Sequence, residues 1–377
     1  GTIDVTCPAT GEAIARVGFA DESDVDPVVE SANRGFRSWH GLSPDERLAW
    51  MHKLRDALIE RREDLLEALM WETGKNRGVA EDDFDKLQKG LHFFPLEMKS
   101  LAGEIIPDAE GNAEHKVTYT PIGPVAAYLA WNFPLLNLGY KIGPALAAGC
   151  SLIVKPSGRT PLTTLMVAEV SQQIGLPPGV FNVVPGDNAS FGNGLSRHTG
   201  IAGITMIGSL SSAERVIVES ATSIKRLSLE LGGNAPFIVL DDADLEAAAD
   251  LLVTLKTANT GQICVSPNRV LVQQAVHDTF VSLVRSRLEK LKIGFPLKDP
   301  DAVVGPMIAE SEAKRVEKLI AESVEAGATV EYGGPNDLGG AFVTPHLLTG
   351  LTPQNPIFGE EIFGPVIAVF SVDDDDS

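Results

Sequence analysis

Three side chains of complementary chemical type stand beside predicted strands and helices: the thiol of Cys264, the carboxylate of Glu230 and the amide of Asn132. Cys264 lies in the small and polar stretch 257–269, in the connection that follows a predicted amphipathic helix over 244–256. Connections are where a rigid scaffold displays reactive groups. A free cysteine is more often a small buried hydrophobe, so this stretch alone fits a packed thiol and a displayed thiol equally well.

Glu230 and Asn132 have the chemical types that a thiol nucleophile needs as partners. Glu230 ends a predicted strand and precedes Gly232 and Gly233, which let other groups approach closely, as the position of a general base requires. The alternative is a carboxylate that caps a neighbouring loop. Asn132 follows a buried strand, where its amide could stabilise an oxyanion, although it also fits ordinary turn chemistry. Covalent catalysis pairs a nucleophile with a base. The thiol of Cys264, the carboxylate of Glu230 and the amide of Asn132 are therefore stronger evidence for a catalytic site together than each is alone.

Several turns carry residues that could bind a nucleotide. The segment 192–197 has two glycines of a dinucleotide-binding fingerprint but lacks the third glycine and a downstream acid, so it fails as that motif. Ser209 follows a predicted strand and opens a helix, where free backbone amides bind anions. Lys155 could reach ribose hydroxyls or a phosphate, and Glu361 and Phe363 could hold a ribose and stack on a flat ring. Each also has a simpler interpretation as a turn or a loop with solvated acids.

Composition limits the class of protein. At 377 residues the chain is too long for one hydrophobic core and predicts two or three domains. The 31 Lys and Arg against 51 Asp and Glu give a net charge of −20, which argues against a nucleic-acid partner. The sequence shows no apolar run long enough for a bilayer and no signal-peptide pattern, so no membrane partner is predicted. Three cysteines predict a reducing cytoplasm, and no metal site is predicted.

The pattern of hydrophobic residues predicts the fold class. A capping box opened by Ser43 predicts a helix over 43–73, and a second helix covers 79–101. From residue 123 apolar strands alternate with helices, which predicts a parallel sheet with helices on both faces. A second α/β series begins after the glycines at 232–233. The predicted class is therefore α/β, with two doubly wound, Rossmann-like parallel-sheet domains.

Six short motifs, in this order, resemble those of the NAD(P)-dependent aldehyde dehydrogenase superfamily: WNFP, KPS, a GS turn, ELGGNAP, GQIC and EEIFGPV. The resemblance runs over essentially the whole chain. It implies an NAD(P)-binding domain over 1–101 and 122–230, part of an oligomerisation β element over 102–121, and a catalytic domain over 231–377 that is incomplete at its C-terminus. The aspartates before Ser377 are either a solvated tail or a sign of an incomplete chain. The resemblance implies a homodimer or homotetramer when the chain is full length, so a protein ending at Ser377 is expected to associate poorly and to have an open substrate tunnel.

At matched positions the resemblance implies a mechanism. Cys264 attacks the aldehyde, the Asn132 amide and the Cys264 backbone N–H hold the oxyanion, hydride passes to the nicotinamide, and Glu230 activates the water that releases the carboxylic acid. The residues implied at the NAD or NADP site are Trp131, Lys155, Ser157, Gly192, Gly208, Ser209, Leu231, Gly232, Glu361 and Phe363. Those implied at the aldehyde are Phe133, Tyr140, Ile263 and Val265, with Lys141 close by.

Two departures from the family pattern bear on the cofactor. Many NAD-preferring members carry a glutamate three residues after the lysine, whereas this chain has Gly158 followed by Arg159. The missing carboxylate removes repulsion of a 2′-phosphate and Arg159 could attract it, which favours tolerance of, or preference for, NADP. The usual FTGS turn reads Met206-Ile-Gly-Ser209, which keeps the glycine and the serine.

The sequence leaves two other functions open. A CoA-acylating relative would release the acyl group to a thiol instead of water, and Glu230 in an intact ELGGNAP motif disfavours it. A catalytically silent binding or structural homologue is disfavoured because Cys264, Glu230 and Asn132 are all present.

Overall fold

The computed structural model describes residues 1–101 and 103–373, with only the backbone described at Lys99. The aspartate-rich end of the chain lies outside the described residues from position 374 onward.

The helices are α1 Val25–Trp39, α2 Pro44–Glu60, α3 Arg62–Thr73, α4 Arg77–Glu97, α5 Pro134–Ala147, α6 Leu162–Gln173, α7 Asn193–Arg197, α8 Leu210–Ser220, α9 Leu245–Thr257, α10 His277–Leu288, α11 Glu310–Glu325 and α12 Pro356–Gly359. The strands are β1 Thr2–Thr6, β2 Ala13–Gly18, β3 Glu104–Pro107, β4 Glu114–Val117, β5 Val125–Tyr128, β6 Leu152–Lys155, β7 Phe181–Val183, β8 Gly203–Gly208, β9 Arg226–Leu231, β10 Pro236–Val239, β11 Arg269–Gln273, β12 Thr329–Tyr332, β13 His346–Thr349 and β14 Val366–Val372.

The predicted capping box opens α2. Ser43 Oγ accepts the Glu46 N–H at 3.2 Å, and the Glu46 carboxylate accepts the Ser43 N–H at 2.7 Å, so this prediction is confirmed. The single long helix predicted from here is interrupted at Arg61, whose φ of −102° and ψ of 16° leave helical geometry and separate α2 from α3. Leu58 and Leu65 are both buried, so the apolar spacing continues across the break and does not reveal it.

Five strands form a parallel sheet in the order β7-β6-β5-β8-β9. A helix lies in each connection of this sheet, so the predicted alternation of strands and helices is confirmed. At its centre Val125 of β5 pairs with Leu152 of β6 on one side and with Gly203 of β8 on the other. The chain therefore leaves β5 in one direction across the sheet and later returns to its opposite side. Such a reversal opens a crevice at the carboxyl ends of the strands, where ligands bind in α/β sheets.

A second sheet has the order β10-β11-β14-β13-β12. Its neighbours are parallel from β10 through β13, which agrees with the predicted class, but the edge strand β12 runs antiparallel to β13. Residues 333–345 join these two strands without a helix, and a connection that lacks a crossover returns the chain antiparallel. Val270, Phe280 and Val369 belong to the buried hydrophobic core of this region.

Internal contacts divide the chain into two compact units. The first comprises 1–5, 15–68 and 81–231, and the second comprises 6–14, 69–80 and the chain from Gly232 onward. The sequence-based division placed all of 1–101 in one domain, whereas segment 69–80 has its partners in the second unit: Asn76 Nδ2 donates to the Val303 carbonyl at 2.9 Å. Over the ranges described, no helix has the length and apolarity to cross a membrane.

Candidate active site

A cavity of about 380 Å³ opens in the first unit at the carboxyl ends of β5, β6 and β8. Six residues predicted for the cofactor line it: Trp131, Lys155, Ser157, Gly192, Gly208 and Ser209. Gly158, Ser212 and Arg215 also contribute to its wall. Leu231, the seventh predicted residue of this unit, is half-buried and pairs with Gly208 in the sheet. The sheet topology therefore brings together residues that are far apart in sequence.

Lys155 is the buried cation of this cavity, and its Nζ donates to Asn188 Oδ1. Burial lowers the pKa of Lys155 to about 8, and the nearby Asp187 opposes the shift only in part. Asn188 begins a π-helical turn that ends at Gly192, and a Cβ on Gly192 would lie 3.4 Å from Lys155 Cε. π-helical turns are frequent at functional sites. A glycine at position 192 therefore leaves space for the Lys155 side chain.

Ser209 is the N-cap of α8, where its Oγ accepts the Ser212 N–H at 3.3 Å. The first N–H groups of a helix lack intrahelical partners and carry partial positive charge, so they favour anions. Ile207, which replaces the threonine of the family turn, lies with Gly208 at the end of β8. The turn therefore keeps its glycine and its N-cap serine without the threonine.

Arg215 lines the same cavity and was not identified from the sequence. It lies three residues after Ser212 on α8, and residues at that spacing share a helix face. In the sequence an arginine in the second turn of a helix looks like solvated surface, and only its spacing from Ser209 could have indicated it. Arg159, in contrast, is exposed and is not among the residues that line the cavity.

The chemistry of this cavity fits a dinucleotide with phosphate groups. Its wall offers two cations, Lys155 and Arg215, several hydroxyl groups and a helix N-terminus. Among the described residues that line it there is no carboxylate to repel a phosphate. Likewise, the described ranges contain no group of three or more His, Cys, Asp or Glu placed to hold a metal ion.

Asn132 is buried just after β5, and its Oδ1 accepts an N–H of the Asn137 amide at 3.3 Å. That bond uses the carbonyl end of the Asn132 amide, so its NH₂ end is the end suited to an oxyanion. Phe133, the next residue, is buried at the N-cap of α5, and Tyr140 is exposed farther along the same helix.

Glu230 is exposed one residue before the end of β9, opposite Ile207 of β8. The buried side chain of Lys141 on α5 interacts with it electrostatically. Burial lowers the pKa of Lys141, and the Glu230 carboxylate opposes that shift. The first unit therefore places a cation near the carboxylate predicted to be the general base.

Cys264 is exposed, whereas Cys7 and Cys150 are buried. The displayed-thiol interpretation of its loop is therefore confirmed. Ile263 before it is half-buried, and Val265 after it is 74% exposed.

The loop that precedes this thiol has an uncommon backbone conformation. Asn259 and Thr260 have φ angles of 47° and 58°, and Gly261 has 74°; side chains other than glycine rarely adopt such angles. Gln262 supports the loop, since its Nε2 donates to the Asn259 carbonyl at 2.9 Å and its Oε1 accepts the Ile308 N–H at 2.8 Å. Strained conformations persist where surrounding contacts determine them, and they are common at functional sites.

In the second unit Glu361 lies beside Gly232, and both residues belong to the set predicted for the cofactor site. The Glu361 carboxylate lies against Gly232 and accepts the Gly233 N–H at 3.4 Å. Burial raises the pKa of Glu361, and this backbone N–H opposes the shift. Phe363, which follows closely, is half-buried with a φ of 45°.

Lys256 is a further buried cation, and sequence reasoning missed it. It lies in the last turn of α9, fully buried, and its Nζ donates to the Pro267 carbonyl at 2.8 Å. Burial lowers the pKa of Lys256 to about 7, and Glu361 opposes the shift. A lysine near a helix C-terminus is usually a solvated partner of the helix dipole, so its sequence position gave no signal.

The sequence model of the aldehyde dehydrogenase family matches residues 1–377. A glutarate-semialdehyde dehydrogenase of Pseudomonas aeruginosa is 37% identical over 375 residues, covering 99% of this chain and 77% of the relative. The NADP(+)-dependent succinate-semialdehyde dehydrogenase GabD of Escherichia coli is 36% identical over 374 residues, covering 99% and 77%. Among solved structures, an E. coli NADP-dependent enzyme superposes with a TM-score of 0.97 at 36% identity, covering 100% of this chain and 78% of that one. A 3,6-anhydro-L-galactose dehydrogenase in complex with NAP gives a TM-score of 0.96 at 35% identity, covering 100% and 80%.

Proposed function

The chain belongs to the aldehyde dehydrogenase family, and we propose that Cys264 is the nucleophile through which it acts. As a member of that family it oxidises an aldehyde to the carboxylic acid with NAD(P)⁺ as hydride acceptor. The observation that carries the proposal is the exposure of Cys264 on a strained, tightly hydrogen-bonded loop, while the other two cysteines are buried.

The residues present support each chemical step. The Cys264 thiolate adds to the aldehyde carbon, and the charge that develops on the carbonyl oxygen is stabilised by the Asn132 amide and the Cys264 backbone N–H. When bound, the nicotinamide supplies the hydride acceptor, and loss of hydride leaves a thioester on Cys264. Glu230 then takes a proton from water, whose oxygen attacks the thioester carbon. The acid leaves, and the thiolate of Cys264 is restored.

The cavity of the first unit supports binding of the dinucleotide. Lys155 and Ser157 would hold the adenosine ribose, and Ser209 with the first amides of α8 would hold the pyrophosphate. Glu361 would hold the nicotinamide ribose, with Phe363 beside it. We propose a preference for NADP, supported by the absence of a carboxylate at Gly158.

The aldehyde is proposed to be a short semialdehyde. The support is that relatives at 36–37% identity are named for glutarate semialdehyde and succinate semialdehyde. Phe133, Tyr140, Ile263 and Val265 are the proposed contacts of the aldehyde.

Assembly and location are also proposals. The antiparallel hairpin of β3 and β4 exposes Ile105 and Val117, of which 64% and 38% are accessible. Exposed apolar strands of this kind favour pairing with another copy, so we propose a homodimer or homotetramer. A reactive free thiol at Cys264 requires a reducing compartment, for which the cytoplasm is the proposed place.

The experiment that tests the function follows NAD(P)H absorbance after mixing the protein with NADP⁺ and a panel of aldehydes: succinate semialdehyde, glutarate semialdehyde, lactaldehyde and benzaldehyde. We expect reduced cofactor and free acid to form in equal amounts without CoA. The Cys264→Ser variant should lose turnover by roughly three or more orders of magnitude while it still binds cofactor. Ordinary rates in that variant would refute the nucleophile assignment, and a requirement for CoA would favour the acylating branch.

A further inference from the structure

The side chain of Asn268 bridges the backbone on both sides of Glu361. Its Nδ2 donates to the Glu360 carbonyl at 2.7 Å, and its Oδ1 accepts the Ile362 N–H at 2.8 Å. These are the two peptide groups that flank Glu361. An amide that bonds both of them fixes the position of the Glu361 Cα in the manner of a neighbouring strand.

Asn268 is itself fixed in one orientation. It is 3% exposed, its backbone N–H donates to the Ala235 carbonyl at 2.8 Å, and its Nδ2 also donates to Asn234 Oδ1 at 2.6 Å. Asn234 in turn donates from Nδ2 to the Phe358 carbonyl at 2.8 Å. Two oxygen acceptors face the Nδ2 end of the Asn268 amide, and one N–H donor faces its Oδ1 end. These partners determine the orientation of the amide. The network therefore connects the LGGN motif, the segment after the exposed thiol and the segment of Glu361.

A second connection joins the same two segments. Gly261, which precedes the thiol, lies so close to Gly364 that a Cβ on it would stand 2.2 Å from the Gly364 carbonyl oxygen. Lys256, whose Nζ bonds the carbonyl of Pro267, orders the residue immediately before Asn268. The loop of Cys264 and the turn of Glu361 are thus one hydrogen-bonded body within the second unit.

We propose that Asn268 is a positioning residue for hydride transfer. It holds the Glu361 carboxylate at a fixed place relative to Cys264, and so determines where a ribose held by Glu361 presents its nicotinamide to a substrate on the thiol. The inference rests on the proposed function, in which Glu361 binds the nicotinamide ribose. Asn268 touches neither the substrate nor the cofactor and acts only through Glu361.

The test uses Asn268→Ala in the purified enzyme, with single-turnover hydride transfer measured at saturating NADP⁺ and aldehyde. Mutation of the hydrogen-bonded supports of metal ligands typically costs about 10–100-fold in affinity or activity, and we expect a loss of that size in the transfer rate when this support of Glu361 is removed. In a double-mutant cycle, Asn268→Ala should cost little in an enzyme that already carries Glu361→Gln, because its effect passes through that carboxylate. Backbone amide exchange at Ile362 should become faster in Asn268→Ala, a readout that does not depend on activity.

Asn336→Ala is the matched control. Asn336 also clamps backbone on both ends of its amide: it donates to the Phe342 carbonyl at 3.1 Å and accepts the N–H groups of Leu338 and Gly339 at 2.9 and 3.0 Å. It should lose some stability, although less than Asn268→Ala because its hydrogen bonds are more exposed, and keep the transfer rate. If Asn268→Ala does not fold, Asn234→Ala, which removes one partner of the Asn268 amide, replaces it in the same cycle.

Three results would overturn the inference: a transfer rate in Asn268→Ala equal to that of Asn336→Ala, a loss that adds fully to that of Glu361→Gln, or unchanged exchange at Ile362. Failure of the proposed function has a different signature, because the unmodified enzyme would then form no NADPH with any aldehyde, while the exchange measurement would still report on the clamp.

Discussion

The Glu361 carboxylate occupies the space that a side chain at Gly232 would need: a Cβ built on Gly232 would lie 2.1 Å from Glu361 Oε2. The atoms in conflict are the far end of a flexible side chain, so the backbone of the LGG turn does not have to move when a methyl group is added. A substitution at Gly232 should therefore move the Glu361 carboxylate while the stability of the fold changes little.

Gly232→Ala should displace the Glu361 carboxylate from the Gly233 N–H while changing the free energy of unfolding by less than about 1 kcal/mol. We expect weaker binding of NADP⁺, by roughly tenfold or more, and slower hydride transfer. Fluorescence titration with NADPH and urea unfolding measure the two quantities. Gly359→Ala is the control, since a Cβ there meets no atom within 4 Å. Equal cofactor affinity in both variants would contradict the prediction.

Glu230→Gln should separate hydride transfer from deacylation. If Glu230 activates the hydrolytic water, the variant forms about one equivalent of NADPH per site in a burst and then turns over roughly 10²–10⁴-fold more slowly. Stopped-flow absorbance resolves the two phases. Glu67→Gln, at an exposed position of α3, should behave as the unmodified enzyme. Loss of the burst with an intact steady-state rate would refute the assigned role.

Gly158→Glu should move cofactor preference toward NAD. The position accepts a side chain, because a Cβ there would lie 3.4 Å from Ile3 Cδ1 and 3.5 Å from the Phe19 ring, near ordinary contact distances. A carboxylate in the cavity repels a 2′-phosphate by electrostatics and hydrogen-bonds a ribose hydroxyl. We expect the ratio of kcat/KM for NADP to that for NAD to fall by roughly one to two orders of magnitude. Gly158→Gln supplies the same bulk without charge, so an equal change in that variant would remove the electrostatic explanation.

Cofactor affinity should depend on pH through Lys155. Because burial lowers its pKa to about 8, the free enzyme carries a charged Lys155 below that pH and loses the charge as pH rises through it. A bound anion favours the charged form, so affinity should be constant below about pH 8 and fall by up to roughly tenfold per unit above it. Titrations between about pH 7 and 9.5 measure this. Lys155→Arg, which keeps its charge over that range, should give a flat profile; a matching fall in that variant would assign the titration to another group.

Local sequence signals predicted the parts of the fold that depend on local chemistry. Ser43 and Glu46 contact each other across one helical turn, and the alternation of strands and helices requires only short-range periodicity. The exposed thiol of Cys264 was one of two interpretations that the loop allowed, and resemblance to a family strengthened it. The break in the helix at Arg61 was not predicted, because it involves a single residue and the spacing of the apolar residues continues across it.

Contacts between distant segments were beyond the reach of the same signals. Asn268 donates a hydrogen bond to the Glu360 carbonyl, 92 positions farther along the chain, and the local sequence VSPNR does not indicate that partner. Arg215 and Lys256 have sequence positions typical of solvated helix residues, yet one lines the cavity and the other is buried. Their environments follow from how the sheets order their strands, which single-segment patterns do not contain.

The left-handed backbone at Thr260 has a consequence for the order in which the protein folds. A β-branched residue opposes a φ of 58°, so the segment before Cys264 does not adopt its shape from its own sequence. The Thr260 hydroxyl donates to the Gly305 carbonyl at 3.0 Å, and Gln262 accepts from Ile308, both from more than 40 residues farther along the chain. The loop can close only after that later segment has docked. We therefore expect the nucleophile to be among the last parts of the second unit to become ordered, so that reactivity of the thiol marks completed folding.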